Sequence, residues 1–127
     1  MNTEAKKVLI VDDEADVLEY LSSLLEDNGY RTLTAMNGKT GMEAARAEKP
    51  DLICLDITMP EETGVSMLRQ LHDDGETASI PVIIVSGVDP RFKDFIENRR
   101  QVSPPAAYFE KPINQGEFLA AVKKTLA

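Results

Sequence analysis

Apolar and polar positions follow two rhythms along this chain. Val8-Leu9-Ile10-Val11, Leu52-Ile53-Cys54-Leu55 and Val82-Ile83-Ile84-Val85 are unbroken apolar runs. Short apolar runs bounded by turn residues read as strands of a parallel sheet buried on both faces. Between the first two runs, Val17, Leu18, Leu21, Leu24 and Leu25 recur at helical spacing. They predict a helix over 15–28, with Asp12 or Asp13 available to cap it and Asn28-Gly29 to stop it. Strand formers fill Tyr30 to Met36. A second helix opens at Asn37-Gly38 with Met42 and Ala45 inward and runs to about Glu48. Lys49-Pro50 ends it, because the residue before proline avoids the helical region.

The alternation continues to the end of the chain. Leu52 to Asp56 is a strand, and 60–63 is loop. Val65, Leu68 and Leu71 mark a helix to about Asp73, and Asp74-Gly75 turns the chain. A strand over 80–85 carries Pro81 near its start, where proline is tolerated. Pro90 suits the first turn of a fourth helix with Phe92, Phe95 and Ile96 on its apolar face. After the break at Pro104-Pro105, Ala107-Tyr108-Phe109 is a short fifth strand. Asn114 with Glu117 three residues on is a capping box opening the last helix, which is expected to bury Phe118, Leu119, Val122 and Leu126. Five strands alternating with five helices predict an α/β domain with a parallel sheet covered on both faces. The 127 residues form one domain over 1–127, with about residues 1–6 as a flexible tail.

Composition narrows the function by exclusion. The chain is 43% hydrophobic and 28% charged, an ordinary soluble balance. No apolar stretch reaches membrane-span length, and the N-terminus lacks the apolar core and cleavage site of a secretion signal. A lone cysteine, Cys54, fits a reducing compartment, so the expected location is cytoplasmic. A net charge of −8 argues against nucleic-acid binding.

The chemistry gathers where the apolar runs stop: at Asp12-Asp13, at Asp56 and at Ser86. Parallel sheets place functional groups at the carboxyl ends of their strands, so three carboxylates and a hydroxyl should share one crevice. Neighbouring carboxylates raise each other's pKa unless a cation screens them. Oxygen donors without His or Cys select Mg²⁺, with Mn²⁺ the alternative. One strand-end acid needs no more explanation than a helix cap; three at two strand ends favour the cation. Lys111, two residues after the fifth strand, can reach the same crevice, and Pro112 after it can hold a cis bond. His72 is expected on the solvated side of its helix, and Cys54 as a small buried hydrophobe. Met36, Met42 and Met67 are expected as core or rim filler, and Arg99-Arg100 near a helix end.

Taken in order, these positions resemble the receiver domain of two-component response regulators, of the chemotaxis-regulator type. The match rests on Asp12-Asp13, the run Asp56-Ile57-Thr58-Met59-Pro60 followed by Gly64, Ser86, and Lys111-Pro112. The resemblance implies a flavodoxin-like (βα)5 doubly wound sheet of strand order 2-1-3-4-5. It implies Asp56 as phosphoacceptor, taking a phosphoryl group from the phosphohistidine of a sensor histidine kinase or a phosphotransfer protein. Asp13 would bind Mg²⁺ directly and Asp12 through water. Asp56 and the main-chain carbonyl of Thr58 would complete the protein ligands. Lys111 and Ser86 would contact the phosphoryl group. Tyr108 would turn inward once Ser86 moves, altering a surface of helix four, strand five and helix five that a downstream protein or output domain reads.

The resemblance also implies catalysis only of the domain's own phosphorylation and dephosphorylation, and a monomer or weak homodimer with no direct contact to nucleic acid or membrane. Three features depart from the common pattern. Gly87 stands where alanine is commoner, and the segment from Ser86 to Lys111 is longer than usual by about one helical turn. Thr58 and Val88 offer neither carboxylate nor amide to orient water, which predicts slow self-hydrolysis. Two alternatives stand beside this reading. A haloacid-dehalogenase-like phosphatase also uses an Asp nucleophile and Mg²⁺, but needs a second aspartate where Thr58 stands, and a cap domain. A phosphate-independent scaffold would not need the full set of site groups.

Overall fold

The computed structural model describes residues 5–59, 63–87 and 106–127. Its five strands are β1 (Lys7–Val11), β2 (Arg31–Ala35), β3 (Leu52–Leu55), β4 (Val82–Ser86) and β5 (Ala107–Glu110). They form one parallel sheet in the order β2-β1-β3-β4-β5. The described helices are α1 (Ala15–Asp27), α2 (Gly38–Glu48), α3 (Thr63–Asp73) and a C-terminal helix (Gln115–Leu126). This is the flavodoxin-like order expected. The expected fourth helix with Phe92, Phe95, Ile96 and Arg99-Arg100 lies outside the described residues, as do Val88, the Pro104-Pro105 break and the first four residues of the tail.

The unbroken apolar runs have a simple cause. Successive strand residues point to opposite faces, and both faces are covered. Leu9, Val11, Ile53, Leu55 and Ile84 pack toward Met42 and Ala45 of α2 and Met67, Leu68 and Leu71 of α3. Val8, Ile10, Leu52, Cys54, Ile83 and Val85 pack toward Leu18, Leu21 and Leu25 of α1 and Phe118 and Val122 of the C-terminal helix. Phe109 meets Phe118 edge-on, with ring centres 5.8 Å apart. Cys54 is the small buried hydrophobe expected, its thiol pushed up to about 12 by burial. Met42 and Met67 are core, whereas Met36 is half exposed at the rim. His72 is exposed as expected.

Element ends differ from the sequence reading where side chains bond to backbone. Neither Asp12 nor Asp13 is the cap residue of α1. Glu14 occupies that position, and Asp12 Oδ1 instead accepts its N–H at 2.9 Å. Asn37 does cap α2, accepting from Thr40 N–H at 2.9 Å. Lys49 ends α2 in the left-handed conformation (φ 47°) rather than the extended one that a following proline favours. The fourth strand begins at Val82, not Ile80. Thr77 Oγ1 donates to Leu71 O at 2.9 Å and Ile80 N–H to Thr77 O at 3.0 Å, so 77–80 folds back on the end of α3. Asn114 caps the C-terminal helix through Glu117 N–H at 3.0 Å. That helix buries Phe118 and Val122, while Leu119 and Leu126 are half-buried.

Two glycines set how closely α3 approaches the site. A Cβ on Gly64 would lie 2.1 Å from Asp56 O and 2.7 Å from Ile57 Cα, and one on Gly38 would lie 2.3 Å from Thr63 O. Backbone cannot yield there as a flexible side chain would. Gly64→Ala should therefore lower the urea midpoint, costing about 1–3 kcal/mol as other overpacked sites do. An unchanged midpoint would show that α3 can draw back from β3 freely.

Candidate phosphoacceptor site

Backbone hydrogen bonds carry the strand ladders one residue beyond their ends and fix the site. Asp12 N–H donates to Ala35 O at 3.1 Å, Asp56 N–H to Val11 O at 2.9 Å, and Lys111 N–H to Ser86 O at 2.8 Å. The neighbouring strands therefore bring Asp12, Asp56, Ser86 and Lys111 to one edge of the sheet. Asp12 and Asp56 are buried, while Asp13 faces solvent. One carboxylate oxygen from each of the three lies within 4.8 Å of the other two. The convergence expected from the sequence is present.

Lys111 sits at the centre of this charge. Its Nζ lies 2.7 Å from Asp12 Oδ2, 3.3 Å from Asp56 Oδ2 and 3.8 Å from Glu14 Oε1. The Lys111-Pro112 peptide bond is cis, as expected. Burial opposes the ammonium charge, yet the bond to Asp12 and the fields of Asp56, Asp12 and Glu14 outweigh it and raise the Lys111 pKa above its ordinary 10.5. At Asp12 the balance falls the other way. Burial pushes its carboxyl up, and the bonds from Lys111 and Glu14 N–H do not fully offset this, with Asp56 adding to the rise. An ion pair alone would hold Asp12 down. The rise reflects burial first; separately, three clustered carboxylates around one ammonium leave a deficit of positive charge. A divalent cation fits that deficit. Glu14 was not singled out in the sequence; its place directly after Asp12-Asp13 was the available signal.

A second group of contacts involves hydroxyls. Asp56 Oδ1 accepts from Thr58 N–H at 2.8 Å and from Thr58 Oγ1 at 2.6 Å. Ser86 Oγ, fully buried, donates to Thr58 Oγ1 at 3.3 Å. The sequence reading gave Thr58 a role through its main-chain carbonyl and missed its hydroxyl. Tyr108 on β5 pairs with Ile84 in the ladder and is half-buried against the layer beneath α2 and α3.

A parallel sheet of this order with clustered acids, a lysine and a serine at its carboxyl edge defines a phosphoacceptor signalling domain. Residues 8–123 match the response regulator receiver domain, and the chain belongs to that family. It is 39% identical to the protein PilH of Pseudomonas aeruginosa, over 95% of this chain and 98% of that one. It is 35% identical to the polar-differentiation response regulator DivK of Brucella anthropi, over 95% and 96%. It superposes on the CheY-like receiver domain protein of Methanospirillum hungatei JF-1 with a TM-score of 0.84 and 28% identity, covering 96% and 94% of the two chains. The chain is thus a receiver domain of two-component signalling. Such domains are signalling modules rather than conventional enzymes, and the acidic cluster is compatible with Mg²⁺. The phosphatase alternative gains no support. Among the described residues no helix is long and apolar enough to cross a membrane.

The charge balance gives a pH prediction. Because the folded pKa of Lys111 is raised, its stabilising contribution is complete below its ordinary 10.5 and is lost as pH climbs through the folded value. Lys111→Met should flatten that alkaline loss. Near neutral pH, without divalent cation, it should cost about 3–5 kcal/mol, since two buried carboxylates lose their partner. Acidification should recover part of this as Asp12 takes a proton. Urea midpoints measured from pH 4 to 11 test all three. A variant as stable as the parent at pH 7 would contradict the pairing.

Proposed function

We propose that Asp56 is the residue phosphorylated and that the chain relays a signal from a sensor histidine kinase, or a phosphotransfer protein, to a downstream protein or output domain. The supporting observation is the position of its carboxylate: buried, with one oxygen held by Thr58 and the other beside Lys111. In the step proposed, an Asp56 oxygen forms a bond to phosphorus as the phosphorus–nitrogen bond of a phosphohistidine breaks. The imidazole leaves with that electron pair. The product is an acyl phosphate. Such transfer needs alignment and charge neutralisation more than acid–base help.

Lys111 neutralises phosphoryl oxygen charge from the protein side, and Ser86 donates its hydroxyl to another phosphoryl oxygen. Asp13 directly, Asp12 through water, Asp56, and the Thr58 main-chain carbonyl would hold Mg²⁺, with Mn²⁺ a substitute. The bound ion supplies positive charge at the phosphoryl oxygens. Movement of Ser86 then frees space for Tyr108 to turn inward, changing the surface that the expected fourth helix, strand five and the C-terminal helix would form. The domain catalyses only its own phosphorylation and a slow dephosphorylation, and works in the cytoplasm as a monomer or weak homodimer. Residues 1–127 act as one receiver unit.

Treatment with acetyl phosphate and Mg²⁺ should add the mass of one phosphoryl group, and Asp56→Ala should abolish the gain. A mass gain retained in Asp56→Ala would overturn the assignment. Without a carboxylate or amide side chain at Thr58 or Val88 to orient water, the acyl phosphate should persist for minutes or longer. A lifetime of seconds would contradict that.

A further inference from the structure

Proton counting at Thr58 has a consequence that the site chemistry alone does not require. An ionised carboxylate only accepts hydrogen bonds, whereas a hydroxyl has one proton to give and can accept as well. Thr58 Oγ1 lies 2.6 Å from Asp56 Oδ1, so its proton goes to that oxygen. It can then only accept from Ser86, whose Oγ lies 3.3 Å away. The direction of the chain is therefore fixed: Ser86 donates to Thr58, and Thr58 donates to Asp56. Ser86 sits at the end of β4 and Asp56 just beyond β3, so the two bonds tie neighbouring strand ends together. Ser86 Oγ is fully buried, so this bond also satisfies a polar group that water does not reach.

We infer that the Thr58 hydroxyl is a positioning residue that holds Ser86 in its unphosphorylated place, and that loss of the Asp56 carboxylate charge releases it. The release half of this inference rests on the reading of Asp56 as the phosphoacceptor. A short hydroxyl–carboxylate bond is charge-assisted and roughly twice as strong as a neutral one. When either Asp56 oxygen bonds to phosphorus, the carboxylate becomes the uncharged carboxyl part of an acyl phosphate, the negative charge now lying on the phosphoryl oxygens, and Oδ1 becomes a weaker acceptor. The Thr58 proton is then free to reorient, and Ser86 is free to turn its own proton to the phosphoryl oxygens. The acceptor thereby acts on the serine through the threonine, before any packing change.

The test is NMR of the Ser86 amide and Cβ in the full chain with Mg²⁺, before and after acetyl phosphate. In unphosphorylated Thr58→Val, which keeps the side-chain shape but removes the hydroxyl, the Ser86 signals should move toward their phosphorylated positions. Losing the neutral bond from Ser86 to Thr58 corresponds to about a fivefold population shift. Thr58→Ser, which keeps the hydroxyl, should restore the parent signals; a role in packing alone would not be rescued this way. Asp56→Asn should shift Ser86 in the same direction and covers the case in which Thr58→Val does not fold. Ser86 signals unmoved in Thr58→Val or in Asp56→Asn, or displaced equally in Thr58→Ser and Thr58→Val, would overturn the inference. Failure of the Asp56 reading is separate: it would appear as phosphoryl mass retained by Asp56→Asn, whatever Ser86 does in the unphosphorylated protein.

Discussion

Two buried carboxylates share one ammonium, and the rest of the structure serves that arrangement. Asp12 and Asp56 would repel each other at the edge of an apolar sheet if Lys111 did not lie 2.7 Å from one and 3.3 Å from the other. Holding the three groups this close requires strand ends that do not slip. The core supplies this through residues buried on both faces of β1, β3 and β4, and the ladder bonds past the strand ends transmit it to the side chains. Gly64 lets α3 lie against the backbone of Asp56 from the far side. The cluster still gathers three carboxylates, those of Asp12, Asp13 and Asp56, around one ammonium. A site left short of positive charge is suited to receive a cation and an incoming phosphoryl group together.

Much of this was legible in the sequence, for identifiable reasons. A strand buried on both faces must be apolar at every position, so β1, β3 and β4 announced themselves, and the first polar residues after them had to lie at the sheet's edge. That logic located Asp12, Asp13, Asp56 and Ser86, and the spacing after β5 located Lys111. What escaped were features decided by side-chain direction. The Thr58 hydroxyl could point to solvent or back to Asp56, and only the folded loop decides. Glu14 approaches Lys111 because α1 starts there, and the start depended on Asp12 bonding to the Glu14 N–H rather than capping the helix itself. The stretch before β4 was misplaced by two residues because Thr77 bonds back to α3, a competition between side chain and ladder that periodicity does not register.

The site divides its work between the two oxygens of one carboxylate. Oδ2 lies 3.3 Å from the Lys111 ammonium, the side on which charge is neutralised. Oδ1 faces Thr58 and, through it, Ser86, the side from which a change of charge can be sensed. A single chemical event at Asp56 would thus be felt on both sides at once. Family membership places the chain among phosphoacceptor signalling domains; under the proposals above, the residues of this chain would carry the arrival of a phosphoryl group to β4.

The most direct measurement is chemical trapping. Borohydride reduces an aspartyl phosphate to homoserine, which marks the phosphorylated residue permanently. After acetyl phosphate, Mg²⁺ and borohydride, peptide mass spectrometry should find homoserine at position 56. Homoserine at position 12 or 13, or at no position while phosphoryl mass is present on the intact chain, would contradict the placement of the acceptor.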